Sequence, residues 1–179
     1  MSRFDEVVQI VFCLEGGLSD NPADKGGRTN LGITQSTLVN ARKHIPQLPE
    51  RVDALTVFQA KAIYKLFYWD AVKCDELPQP IDFLVFDAAV NCGIGGAGMQ
   101  LQRALNKSGH NLAVDGAIGP ATMAAMKYSH KNEPWRIVGA ILVERVAWHN
   151  AIIGRDKSQL VFIHGWLNRI LKNASEVGL

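Results

Sequence analysis

Glu15, Asp24 and Thr29 stand close together near the start of the chain and could do chemistry as a set. Glu15 follows Val11 by four residues and Val7 by eight. A helix would therefore place it on the same face as the apolar stripe Phe4, Val7, Val8, Val11 and Phe12. Desolvation on that face disfavours the carboxylate, and so does the negative end of the helix dipole. Both push Glu15 toward a neutral acid that can hand a proton to a leaving oxygen. Gly16 and Gly17 follow without side chains and leave room for a sugar to approach. Asp24 is placed to orient or deprotonate a water and the Thr29 hydroxyl to hold it, with Asp20 as the next candidate to assist Glu15 or to bind substrate. Hydrolysis of a glycosidic bond asks for such equipment: one carboxylic acid kept protonated, and a second polar or acidic group on the opposite face of the sugar. Each residue alone has a plainer reading. A glutamate near a helix end is commonly a solvated charge, and Asp24 and Thr29 alone are turn stabilisers.

The elements that must hold these side chains are mostly helical. After the first helix, stopped by Gly16-Gly17, residues 18–33 are rich in turn formers and predict a short β-hairpin or irregular strand-turn lobe. Thr34 is expected to cap a helix to about Ile45, before Pro46 and Pro49. Thr56 and Gln59 form a capping-box pattern for a helix through Trp69. Asp82 is expected to cap a helix from Phe83 to about Cys92 that is apolar nearly all round, hence central. A further helix carries Met99, Leu101 and Leu105, another opens at Gly119-Pro120, a long one runs from Pro134 to about Ile153, and a last one covers about Ser158 to Lys172. The expected fold class is mainly α, about eight helices with one small hairpin. It is read as a single domain over 1–179, with an N-terminal lobe of about 1–75 and a helical lobe of about 80–179 flanking a cleft.

Further polar and aromatic side chains offer binding roles. Tyr68 and Trp69 could pack against sugar rings, although Tyr64 and Trp69 are more often core residues. Asp87 and Asn91 share a helix face at i, i+4 and interrupt an apolar helix. A buried polar group needs a partner, which a structural hydrogen bond or a substrate would supply equally well. Arg145, Trp148 and Arg169 are read as side chains that pack and bridge late helices.

Composition narrows the alternatives. The 179 residues are 47% hydrophobic and 20% charged, ordinary for a globular domain, and the net charge is only +2. No Lys/Arg block argues for nucleic acid. Cys13, Cys74 and Cys92 are odd in number and widely spaced, so reduced and mostly buried thiols are expected. The five histidines show no metal-ligand spacing, and Gly93 to Gly98 lacks the Lys-Ser/Thr ending of a phosphate loop; no metal or cofactor is expected. The acidic start, Asp5-Glu6, does not resemble a signal peptide, and no uninterrupted apolar run reaches the ~20 residues of a membrane span. A cytoplasmically made protein without membrane insertion is expected, which would need export or release to act on a cell wall.

The stretch from Glu15 to Thr34 resembles the signature of glycoside hydrolase family 108. That pattern, Glu-Gly-Gly followed by Asp-x-Gly-Gly-x-Thr-x-x-Gly-Ile, is matched by Glu15-Gly16-Gly17, Asp24, Gly26-Gly27, Thr29 and Gly32-Ile33. The family includes phage-type N-acetylmuramidases and bacterial proteins named secretion activators. Phe86-Asp87-Ala88-Ala89-Val90-Asn91-Cys92-Gly93 is similar to its middle segment, Asp115 to Thr122 to its peptidoglycan-binding region, and Gly165-Trp166-Leu167-Asn168-Arg169 to its C-terminal motif. The resemblance implies a lysozyme-like fold and cleavage of the β-1,4 bond between N-acetylmuramic acid and N-acetylglucosamine, with Glu15 as the acid. The Glu…Asp…Thr order also resembles the triad of phage-type lysozymes, although Asp24 and Thr29 are one residue closer together here. The implied partner is the peptidoglycan glycan strand, acted on in the periplasm or wall, with a holin or secretion system as a possible route out. A non-catalytic wall-binding or secretion-associated protein is the alternative.

Overall fold

The computed structural model describes the backbone of residues 1–15 and 29–179, and the side chains of 1–14 and 29–179. The expected mainly α class is observed. The chain divides into two compact units, Met1–Trp69 and Asp70–Leu179.

In the first unit, helix α1 (Arg3–Glu15) buries Phe4, Val7, Val8 and Val11 along the stripe read from the sequence. Strands β1 (Thr29–Asn30) and β2 (Ile33–Thr34) pair antiparallel, Thr29 opposite Thr34 and Asn30 opposite Ile33. Both residues of the connecting turn, Leu31 and Gly32, have positive φ (52° and 73°). That is the backbone a two-residue hairpin requires to match the twist of its strands. Thr34 then caps helix α2 (Gln35–Ala41), its hydroxyl accepting from the Thr37 N–H. The helix is shorter than expected. His44 N–H reaches back only three residues, to the Ala41 carbonyl, so the backbone tightens into a turn ahead of Pro46. Helix α3 (Val57–Tyr64) begins with the expected Thr56–Gln59 capping box and passes into a π-helical turn, Lys65–Trp69.

The second unit is built on helix α4 (Ile81–Cys92), buried along nearly all of its length. It begins one residue before Asp82, whose carboxylate accepts from the neighbouring Phe83 N–H at 2.7 Å within the first turn. Helices α5 (Ile94–Lys107) and α7 (Pro134–Arg155) pack on it, and α6 (Pro120–Asn132) packs on α5 and α7. The expected last helix starts differently. Asp156 accepts from the Ser158 N–H and caps a 3-10 turn, Lys157–Phe162, before helix α8 runs Ile163–Glu176. Among the described residues, α7 alone is long and apolar enough to cross a membrane. It carries buried Glu144, Arg145 and His149 and packs within this unit.

Asp87 of α4 ties these helices together. It is fully buried, and its carboxylate meets Arg145 Nη2 of α7 at 2.7 Å, Arg169 Nε of α8 at 2.9 Å and Asn173 Nδ2 of α8 at 2.6 Å. His149, one turn beyond Arg145, lies flat on Trp166 of α8, with ring centroids 4.4 Å apart and planes 15° apart. The cysteines are free. Only Cys74 is buried; Cys92 is half-buried beside Arg145, and Cys13 is exposed, against expectation, because it points off the outer face of α1.

Glycines set the closest backbone approach. The loop 109–119 lies directly on α5, and a Cβ at Gly98 would fall 1.9 Å from the Gly116 carbonyl oxygen. Gly116 itself has φ +82°, and a Cβ there would come 2.7 Å from the Gly95 carbonyl oxygen.

Three outcomes follow from this packing. Asp87→Ala removes the carboxylate shared by Arg145, Arg169 and Asn173 and should cost about 3–5 kcal/mol in urea unfolding; a loss under about 1 kcal/mol would show that the cluster does not hold the helices. Gly98→Ala must displace the 116 loop and should cost about 1–3 kcal/mol in the same assay. Burial, then Arg145 and Arg169, push the His149 imidazole down to about 4, with Asp87 opposing them. The unfolded chain therefore binds the extra proton between about pH 6.5 and 4. The stability held by neutral His149 is whole above that window and falls as pH drops through it, by up to about 3 kcal/mol. His149→Phe, which keeps the stack without the proton, should flatten that part of the stability–pH curve measured by thermal unfolding.

Candidate functional site

Glu15 closes α1, four residues after Val11 and eight after Val7, both of which are fully buried. Its side chain, and the whole of Asp20 and Asp24, lie outside the described residues. Thr29, half-buried, opens the hairpin.

Two side chains hold that hairpin in place. Asn30 donates through Nδ2 to the carbonyls of Val52 (3.0 Å) and Leu55 (3.2 Å), which fastens β1 to the 3-10 turn Val52–Ala54. The Tyr64 hydroxyl donates to the Leu31 carbonyl at 3.0 Å, in the middle of the turn. The Tyr64 ring also stands edge-on to Phe12, with centroids 5.2 Å apart and planes at 86°. Phe12 is in the last turn of α1, the turn that ends on Glu15. Tyr64 thus joins the end of α1 to the hairpin that begins at Thr29, and fixes the two elements bracketing the Glu15–Thr29 stretch. Asn30 was not legible as a site-forming residue because its partners are backbone carbonyls more than twenty residues away. Tyr64 carried only the signal of a polar tip on an aromatic in an apolar helix.

The aromatic candidates part company. Tyr68 is half-buried, tilted against Tyr64 at 5.5 Å. Trp69 is fully buried with its edge against Phe4 at 5.4 Å, so it is a core side chain and presents no ring face to a sugar. Asp87 is likewise corrected. Its carboxylate is spent on Arg145, Arg169 and Asn173, the internal-pairing alternative, and Arg145 and Arg169 bridge helices as expected. Asn91, one turn further along α4, is exposed.

The second unit holds a groove of ≈ 500 Å³ lined by Ala71, Val72, Lys73, Ile94, Gly95 and residues 115–119. Gln102 shapes its wall. The side chain is buried, donates to Asp115 Oδ1 (2.7 Å) and the Ala117 carbonyl (3.0 Å), and accepts from the Gly116 N–H (2.8 Å). One amide thus satisfies both faces of a loop that glycine lets lie flat on α5. The Gln102 hydrogen bond, then the Ala117 N–H, hold the Asp115 carboxyl below its usual range. Exposed Lys73, in the left-handed region at φ +56°, supplies the opposite charge at the rim. A groove with an apolar floor and both signs of charge suits a ligand that brings small apolar groups and charged ends. Sequence reasoning passed over Gln102, since a glutamine inside an amphipathic helix has no pattern of its own. Among the described residues, no three His, Cys, Asp or Glu side chains gather as a metal site.

Comparison with known proteins bears on both units. Residues 8–93 match the family model described as glycosyl hydrolase 108, a span that contains Glu15, Asp20, Asp24, Thr29, Tyr68 and Asn91. Residues 97–171 match a second model, described as a predicted peptidoglycan domain, which contains Gln102 and the 115–119 wall of the groove. No curated protein matches the chain. Among solved structures, SagA of Brucella abortus is similar: 32% identical, covering 97% of this chain and 92% of that one, with a TM-score of 0.79. With the Glu-Gly-Gly signature after a buried helix face, and likeness along almost the whole chain, the protein belongs to the glycosyl hydrolase 108 family and joins a glycoside hydrolase segment to a peptidoglycan one.

Proposed function

We propose that the protein is an N-acetylmuramidase, cleaving the β-1,4 bond between N-acetylmuramic acid and N-acetylglucosamine in peptidoglycan. One observation carries the reading: Glu15 terminates a helix whose Val7 and Val11 are fully buried, at the start of the family's signature, and Tyr64 fastens that helix end to the hairpin beginning at Thr29. A carboxyl on the last residue of a helix is disfavoured as an anion by the negative end of the helix dipole. In the proposed reaction Glu15 gives its proton to the glycosidic oxygen as the C–O bond breaks. A water oriented by Asp24 and held by Thr29 adds to the anomeric carbon, and Asp24 takes up the proton that water loses. Asp20 supplies a hydrogen bond to the glycan, and Tyr68 packs on a sugar ring. The protein is proposed to act in the periplasm or wall after release or export, by a holin or a secretion system.

The peptidoglycan match over 97–171 supports a second role in the same chain, retention on the wall by the Lys73–Asp115 groove. A protein with that role alone would bind without cutting.

Glu15→Gln keeps the shape of the side chain but cannot supply the proton. Turbidity loss of chloroform-treated Gram-negative cells should slow by about 10²–10⁴-fold relative to the unaltered protein, with retention on insoluble peptidoglycan unchanged. Equal clearing by both would remove Glu15 from the mechanism, and retention without clearing by either would leave wall binding as the function. Product analysis should find a reducing muramic acid end; a 1,6-anhydro end would instead mean a lytic transglycosylase.

A further inference from the structure

The C-terminal segment 155–172 gathers five large exposed apolar side chains. Leu160, Val161 and Phe162, consecutive in the 3-10 turn, are 55%, 74% and 53% exposed, and Leu167 and Leu171 of α8 are 40% and 67% exposed. Helix α8 turns Ile170, Asn173 and Val177, close to its C-terminal end, into its own unit. Ile163, Leu167, Leu171 and Ala174 recur at helical spacing on an adjoining face, which continues the apolar surface outward from the core. Large side chains clustered in this way mark an interaction surface, whereas exposed apolar residues scattered singly need no explanation.

Charge decides what fits it. Arg155, Lys157 and Lys172 are exposed at the two ends of the apolar strip and form no ion pair among the described residues. The acid among them, Asp156, directs its carboxylate to the Ser158 hydroxyl and N–H and to Gln159. The surface is thus an apolar strip with free cations at both ends. In a two-fold pair of copies along this strip, parallel or antiparallel, cations would face cations. An anionic bilayer satisfies both features at once, taking the apolar side chains at the acyl boundary and the ammonium and guanidinium groups at the headgroups.

We infer that the segment from Arg155 to Lys172 is a membrane-surface anchor that lies on, and does not cross, a bilayer rich in anionic lipid. The inference rests on this surface alone and stands apart from the catalytic reading.

Co-sedimentation of the full chain with vesicles tests it. The unaltered protein should pellet with phosphatidylglycerol–phosphatidylethanolamine vesicles and remain in solution with phosphatidylcholine vesicles. Val161→Asp with Leu171→Asp should abolish pelleting. Lys157→Glu with Lys172→Glu, which leaves the apolar strip intact, should weaken it by about ten-fold and remove its sensitivity to salt. Circular dichroism establishes that each variant is folded; should the aspartate pair fail to fold, the lysine pair still decides. The inference is overturned if the unaltered protein ignores both vesicle types or binds them equally. It is also overturned if sedimentation velocity shows a dimer without lipid that the aspartate pair dissociates.

Discussion

A carboxylate taken wholly out of water must be answered by charge and hydrogen bonds of its own, and the second unit is organised around that constraint. Asp87 sits in the most apolar helix of the chain, where an uncompensated ion would be prohibitive. Arg145 from α7 and Arg169 and Asn173 from α8 converge on its two oxygens. Because these groups come from two helices other than its own, the carboxylate sets the register of α7 and α8 against α4 in a way apolar packing alone would leave looser. The cluster carries one carboxylate and two guanidinium groups, a net positive charge. The flat stack of neutral His149 on Trp166 is consistent with that balance, since a third cation there would be repelled by the two guanidinium groups. The C-terminal family motif is thereby explained in part: Trp166 and Arg169, three residues apart on α8, serve the stack and the ion pair.

The first unit solves a different problem. Glu15 and Thr29 lie on either side of a stretch of sequence rich in glycine and turn formers, which carries Asp20 and Asp24 and few apolar residues. Its two ends are instead held by neighbouring elements. Val7, Val8 and Val11 anchor α1, Asn30 pins β1 to a backbone turn, and Tyr64 touches both the end of α1 and the hairpin turn. Catalysis by a positioned acid depends on such supports, because a displacement of about 1 Å at the reacting group can cost orders of magnitude in rate.

Glycine has a separate task in the second unit. Gly98 and Gly116 let backbone lie against backbone, and Gln102 then satisfies the polar groups that this close approach buries. The groove formed beside them is therefore a product of missing side chains as much as of those present. The apolar strip at the C-terminal end, by contrast, keeps five large side chains exposed within twelve residues.

How much was legible in the sequence depended on how far each interaction reaches. Caps and turns act over two to four residues, so Thr34, the Thr56–Gln59 box, Pro120 at a helix start and the hairpin before Thr34 could all be read directly. The apolar period of α1 was equally local, and the Glu15–Thr34 pattern was long enough to carry the family. The sequence also showed that Asp87 needed a partner. Only tertiary structure decided that Arg145, Arg169 and Asn173 answer it, across 58 to 86 residues of chain. The same distance hid the partners of Asn30, the role of Gln102 and the fate of Trp69, whose ring, more often a core residue, stayed a candidate for a sugar until Phe4 was seen against it. Local periodicity and capping follow from the chain's own geometry, whereas the partner of a buried polar group is chosen by packing, which brings together residues that no spacing rule connects.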